Sequence, residues 1–264
     1  MYFESKSVRA CWLALFLLFV LVISENGFCQ PSATQIMEQV YHRDDGDDSK
    51  AVSEMILEDK NGDRRIRELI VYTKDFPGDV IKSLTRFTSP ADIAGTGFLN
   101  WDNKDKQDDQ FLYLPALKRV RRIVTTQKHL RFVNSDFTYE DMERREVDRD
   151  THQLLGTTQY KDLDCYLIRS IPKEMTNTQY GYFKSWIAKN LNIIVKTEFY
   201  DKNQDHYKTY TALALKKIDH IWTITHALLE DHKRNHKTIL KLKGIEYNIN
   251  LSDSYFTKNF LGSY

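Results

Sequence analysis

From Val52 onward the chain alternates polar and apolar positions with the two-residue period of half-buried strands. Ser53, Met55 and Leu57 alternate with Glu54 and Glu58, Asn61-Gly62 supplies a hairpin turn, and residues 66–73 return as a second strand. Residues 80–88 read as a third, closed by Ser89-Pro90. Further strands are predicted at 110–114, 144–154, 165–171, 182–188, 193–200, 207–215, 221–230 and 238–247. The pattern is clearest where Ile193, Val195, Thr197 and Phe199 oppose Lys196 and Glu198, one face apolar and the other wet. Short polar turns such as Lys189-Asn190-Leu191-Asn192 join neighbours, which marks antiparallel meanders rather than βαβ units.

About eleven strands in sequence imply one strongly curved antiparallel sheet, an open and incomplete β-barrel. Few helices are available to cover it. Ser32 can cap a helix through Tyr41, with Ile36, Met37 and Val40 at helical spacing; a turn follows Ser89-Pro90; and residues 254–261 form a third candidate. An inner face closed by so little leaves room for a ligand.

The first residues read as an address. Lys6 and Arg9 precede an apolar run from Ala10 to Ile23, too short to span a bilayer and suited to a secretory signal. Gly27 and Cys29 place small residues at a cleavage site, so residues 1–29 are expected to be removed and residues 30–264 to form a single domain. Cleavage leaves Cys165 as the one thiol, which rules out an intramolecular disulfide and puts Cys165 in the core of its alternating strand. Phe28 fits poorly before an acylated cysteine, so a periplasmic form is expected ahead of a membrane-anchored one.

Charge is balanced at 38 Lys+Arg against 37 Asp+Glu, a net of +1, which speaks against a nucleic-acid partner. The 15 Tyr and 14 Phe against 10 Gly and 5 Pro strengthen the β reading and leave no linker. No G-x-S-x-G elbow, glycine-rich phosphate loop, H-E-x-x-H or cysteine pair occurs, so neither catalysis nor a cofactor is expected. His220, His226, His232 and His236 bunch late in the chain, but His232 and His236 on a strand would stand about 13 Å apart, and they read as surface histidines rather than metal ligands. Asp44, Asp45, Asp47 and Asp48 lack the glycine and distal glutamate of a calcium loop and read as solvated. Lys118, Arg119, Arg121 and Arg122 suit either the wet face of a strand or a docking surface for a partner. Gly95 and Gly97, ahead of Phe98, Leu99 and Trp101, suit a mobile flap or a tight corner feeding a strand.

The stretch Ser89-Pro90-Ala91-Asp92-Ile93-Ala94-Gly95-Thr96-Gly97-Phe98-Leu99 is followed by residues 109–123, by Ser135-Asp136-Phe137-Thr138-Tyr139-Glu140-Asp141 and by Pro172-Lys173. This ordered series resembles the outer-membrane lipoprotein-sorting proteins, a LolA-like branch of the LolA/LolB superfamily, from about Tyr41 to Leu261. The resemblance implies an open barrel with helices over its mouth and an apolar cavity within. It also implies a periplasmic carrier of lipid or lipoprotein acyl chains, with an inner-membrane transporter and an outer-membrane acceptor as candidate partners. Candidate cavity or flap residues are Phe98, Leu99, Trp101, Phe183, Ile193, Val195, Phe199 and Leu213. Two other readings compete. One is a cargo-free docking module of a lipid-exporting transporter, acting through Lys118, Arg119, Arg121 and Arg122. The other is a small integral barrel, which the wet faces bearing Lys196, Glu198, Lys241 and Lys243 oppose.

Overall fold

The computed structural model describes residues 30–104 and 106–263; the leader read at residues 1–29, with Cys11 and Cys29, lies outside them. Among the described residues the chain forms thirteen strands in one sheet, all antiparallel neighbours. They are β1 (Asp48–Glu58), β2 (Arg64–Phe76), β3 (Val80–Ser89), β4 (Gly97–Asp102), β5 (Asp109–Leu114) and β6 (Arg119–Ile123), then β7 (Asp150–Tyr160), β8 (Leu163–Pro172), β9 (Tyr180–Ala188), β10 (Ile193–Asp201), β11 (His206–Ile218), β12 (Ile221–Asp231) and β13 (His236–Tyr247). The order across the sheet is β6-β5-β4-β3-β2-β1-β13-β12-β11-β10-β9-β8-β7. The chain therefore starts at the centre, meanders out to one edge at β6, restarts at the far edge at β7 and meanders back until β13 pairs with β1. β6 and β7 are not paired, so the barrel stays open.

Two expectations change. Gly97–Asp102, read as a flap or corner, is strand β4, hydrogen-bonded to β3 and β5. The strand read at 144–154 begins only at Asp150, because the backbone just before it turns locally: residues 147–149 form a one-turn helix in which the Arg149 N–H donates to the Glu146 carbonyl.

The restart from β6 to β7 forces residues 124–149 to cross one face of the sheet, here the inner face. This strap carries four one-turn helical segments and a tight hairpin in which Arg131 bridges Thr138. Phe132, with no exposed surface, and Tyr139 pack on Phe87 and Phe98, ring centroids 5.0–6.0 Å apart. Around them Met55, Leu57, Leu69, Leu112 and Ile123 complete the largest apolar cluster. Helix α1 (Ala33–Tyr41) opens with a capping box in which Ser32 and Gln35 satisfy each other's backbone N–H. Its apolar stripe, led by Ile36, seals the inner face of β8 and β9 against Ile168 and Ile187.

The outer face of β3–β5 is covered by the C-terminal segment, which ends in helix α2 (Lys258–Gly262). Leu251, Phe256 and Leu261 bury Leu84, Leu99, Phe111 and Tyr113 there. Trp101 Nε1 donates to the Phe256 carbonyl at 3.0 Å, and the Arg86 guanidinium to that of Leu261 at 3.0 Å. Gly97 must stay small at this contact, because a Cβ would stand 2.6 Å from Leu261. Asp48 starts the same connection. Far from being solvated like a loop acid, it is 5% exposed and accepts from the backbone N–H groups of Ile249 and Leu251 at 2.8 and 2.9 Å. Asp48→Ala leaves both N–H groups without their acceptor. It should lower unfolding stability by about 2–3 kcal/mol in urea titrations, whereas a loss near zero would mean water replaces the carboxylate.

Candidate functional site

The strap does not fill the inner face. On one side of it lies a cavity of about 450 Å³ walled by α1 and β7–β12, with Met37, Tyr180, Phe183, Ile194, Phe199 and Leu229 among its lining residues. On the other side lies a cavity of about 470 Å³ walled by β13 and β1–β4, with Met55, Leu69, Val71, Ile81, Leu240 and Ile245. Between the strap and the β4–β5 and β8–β9 connections a third, polar cavity of about 590 Å³ runs past Lys106, Asp108, Arg149 and Lys173.

The family-like segment Ser135–Asp141 is what holds the strap in place. Asp136, with no exposed side-chain surface, meets Arg234 at 3.0 Å and His236 Nδ1 at 2.7 Å, and accepts from the Thr238 hydroxyl at 2.7 Å. These contacts lock the strap to the β12–β13 hairpin, so His236 serves a buried carboxylate rather than lying on the surface. Asp141 accepts from Lys208 Nζ at 2.6 Å and from the Tyr180 hydroxyl, fastening the strap to β11 and β9. Glu140 accepts from the Thr178 hydroxyl, and Arg67 on β2 donates to the Val133 carbonyl. Arg145 grips Asp150 with two bonds of 2.6 Å, and Lys128 and Arg149 both hold Glu143. Tyr180 is buried, and its hydroxyl is held neutral, first by desolvation and then by the Asp141 charge.

Acids at the strap's margin are poised differently. Burial pushes the Asp102 carboxyl up to about 6, against hydrogen bonds from Asn100 and the Arg144 N–H. Burial, with repulsion from Glu143, pushes Asp108 up to about 7. Among the described residues no group of three or more His, Cys, Asp or Glu could hold a metal ion.

The candidate cavity residues separate by strand parity. Phe183 and Phe199 line the cavity beneath α1, their rings 5.6 Å apart. Phe98 faces inward but is 1% exposed under Phe132 and Tyr139. Leu99 and Trp101 face outward beneath the C-terminal segment. Ile193 is aligned with Ala188 and Cys165, one step out of phase with the inward row Ile194–Ile187–Tyr166. It packs with Val195, Cys165 and Ala188 in a separate cluster. The cause is a bulge between Ile194 and Lys196, which resets the alternation so that Ile194, Thr197 and Phe199 share the inner face. Leu213 stands at a second bulge and is 42% exposed. Lys118, Arg119, Arg121 and Arg122 are exposed along the edge strand β6, with Arg122 paired to Asp109 at 2.6 Å. The anchoring residues Asp136 and Asp141 were visible in the sequence as a motif, but their partners lie on strands far along the chain.

Solved structures give the same architecture. A DUF1329 family protein from Desulfovibrio piger is 30% identical over 87% of this chain and 97% of that one, with a TM-score of 0.83. A structure described as an outer-membrane lipoprotein-sorting protein domain, from Vibrio parahaemolyticus, is 32% identical over 87% of this chain and 98% of that one, with a TM-score of 0.82. The chain belongs to the family of these two proteins, the DUF1329 protein and the outer-membrane lipoprotein-sorting protein domain. A LolA superfamily protein from Nitrosomonas europaea shares the fold at 19% identity, covering 88% of this chain and all of that one, with a TM-score of 0.68. A family model described as an uncharacterized protein matches residues 79–263. No curated protein matches the chain.

Asp102 and Asp108 bind protons more tightly folded than unfolded, so the stability they contribute is greatest when both are protonated. It falls as pH rises from about 4 through about 7. Relative to the parent, Asp108→Asn should gain roughly 1–3 kcal/mol of stability between pH 5 and pH 8 in paired urea titrations. A difference that stays constant with pH would show that Asp108 titrates like a solvated acid.

Proposed function

We propose that the protein is a periplasmic carrier that binds lipid or lipoprotein acyl chains in its interior and shuttles them between the inner and outer membranes. The observation that carries this reading is the unfilled inner face: a cavity of about 450 Å³ bordered by Met37, Phe183, Ile194, Phe199 and Leu229 in a LolA-like fold. Exposing an acyl chain to water costs about 0.8 kcal/mol per methylene, so a chain crosses an aqueous compartment only inside such a cover. Release needs no bond chemistry; the acceptor has only to bind the chain better. A non-enzymatic role fits this, as does the exported location that the leader implies.

The edge strand β6 supports a docking role. It offers Arg119, Arg121 and an unpaired strand edge to solvent, with Leu117 63% and Val124 48% exposed beside them. An inner-membrane transporter or an outer-membrane acceptor could add to that edge while the cavity holds cargo.

Native mass spectrometry of chain exported to a periplasm and purified without detergent should show a lipid or acylated adduct. Ile194→Asp, which puts a charge in the cavity wall, should abolish the adduct in protein that still melts cooperatively, at a lower temperature than the parent. A clean apo mass for the parent would remove the carrier reading and leave docking. Reversing Arg119, Arg121 and Arg122 to glutamate should leave the adduct intact and abolish capture by membrane partners.

A further inference from the structure

Every strand residue lining the 450 Å³ cavity comes from β7–β12, and every one lining the 470 Å³ cavity comes from β13 and β1–β4. No strand contributes to both. What the two share is Asp45 together with Phe137, Glu143 and Arg144 of the strap. We propose that the two cavities are paired subsites for one amphiphile with at least two acyl chains, one chain lying on each side of the strap. This rests on the carrier reading and goes beyond it by naming the class of cargo.

Three features point this way. The cavities are nearly equal in volume, and each alone sits in the lower part of the usual range for ligand sites. The strap between them is fastened on both sides, to β13 through Asp136 and His236 and to β11 through Asp141 and Lys208. Merging the cavities into one would break buried ion pairs, which strands charges at high cost. Both walls also keep small hydroxyl side chains where a filled core would carry larger apolar ones: Ser185 and Thr197 on one side, Ser83 and Thr85 on the other. Asp45 and Arg144 border both cavities, so the head group joining the two chains belongs at that shared rim.

The test compares a single-chain palmitoyl lysophospholipid with the dipalmitoyl lipid bearing the same head group, by native mass spectrometry at sub-micellar concentration. The parent should take two lysolipids or one two-chain lipid. Thr197→Phe fills one subsite and Ser83→Phe the other. Each should lower the lysolipid count from two to one and weaken the two-chain lipid by roughly tenfold. The lysolipid retained by each variant reports that it is folded and competent, and leucine at the same positions gives a milder filler with the same expected direction. A parent that saturates at one lysolipid, or a two-chain lipid indifferent to one of the two fillers, overturns the paired subsites while the carrier reading stands. Failure of the folded parent to bind either lipid overturns both.

Discussion

The order of strands makes residues 124–149 necessary, and the rest of the interior depends on how that segment is held. A meander that begins at the centre of a sheet can finish only one half. To build the other it must carry the chain from the outer edge of β6 to the outer edge of β7. The crossing passes over an apolar face, where unpaired backbone groups and charges are costly. The strap answers with short local hydrogen bonds and with side chains from the sheet: Arg67 to the Val133 carbonyl, Gln110 to that of Tyr139, Thr238 to the Asp136 N–H.

The charged anchors act chiefly as locators. Burying an ion pair costs desolvation that its attraction barely offsets, so Asp136 with Arg234 and His236, or Asp141 with Lys208, adds little to net stability over apolar residues of equal shape. What these pairs supply is position. Phe132 and Tyr139 could slide on an aromatic surface made of Phe87 and Phe98; a carboxylate fixed by three directional partners cannot. The same segment therefore separates two cavities at a defined place.

The sequence made the local parts of this legible and the long-range parts not. Period-two patterning and polar turns located most strands to within a few residues, and Ser32 ahead of Ile36, Met37 and Val40 announced the first helix. Strand β4 was hidden because Gly95 and Gly97 look like turn residues; one serves the turn, while the other makes way for Leu261. Parity failed at Val195 for a related reason. A single bulge residue, invisible to periodicity, moves Ile193 off the inner face and puts Ile194 on it. Phe183 and Phe199 border the cavity, Phe199 lying beyond the bulge where the alternation resumes. The roles of Asp136 and Asp141 could not be read at all, since their partners are 100 and 67 positions away.

A protein built only for stability would not keep this interior. Voids forfeit dispersion contacts and transfer energy, and a cavity of several hundred Å³ would ordinarily collapse or acquire larger side chains. Collapse is blocked here by geometry: the sheet is thirteen strands wide, and among the described residues its inner face is covered by the strap, helix α1 and the short segment that follows α1. Filling by larger side chains is not blocked. Ser83, Ser185 and Thr197 stand at strand positions where leucine or phenylalanine would fit a β-sheet at least as well. Small hydroxyl residues at sites where packing favours large apolar ones mean that the space itself is retained, and space lined this way is useful to a protein that must hold something apolar and then let it go.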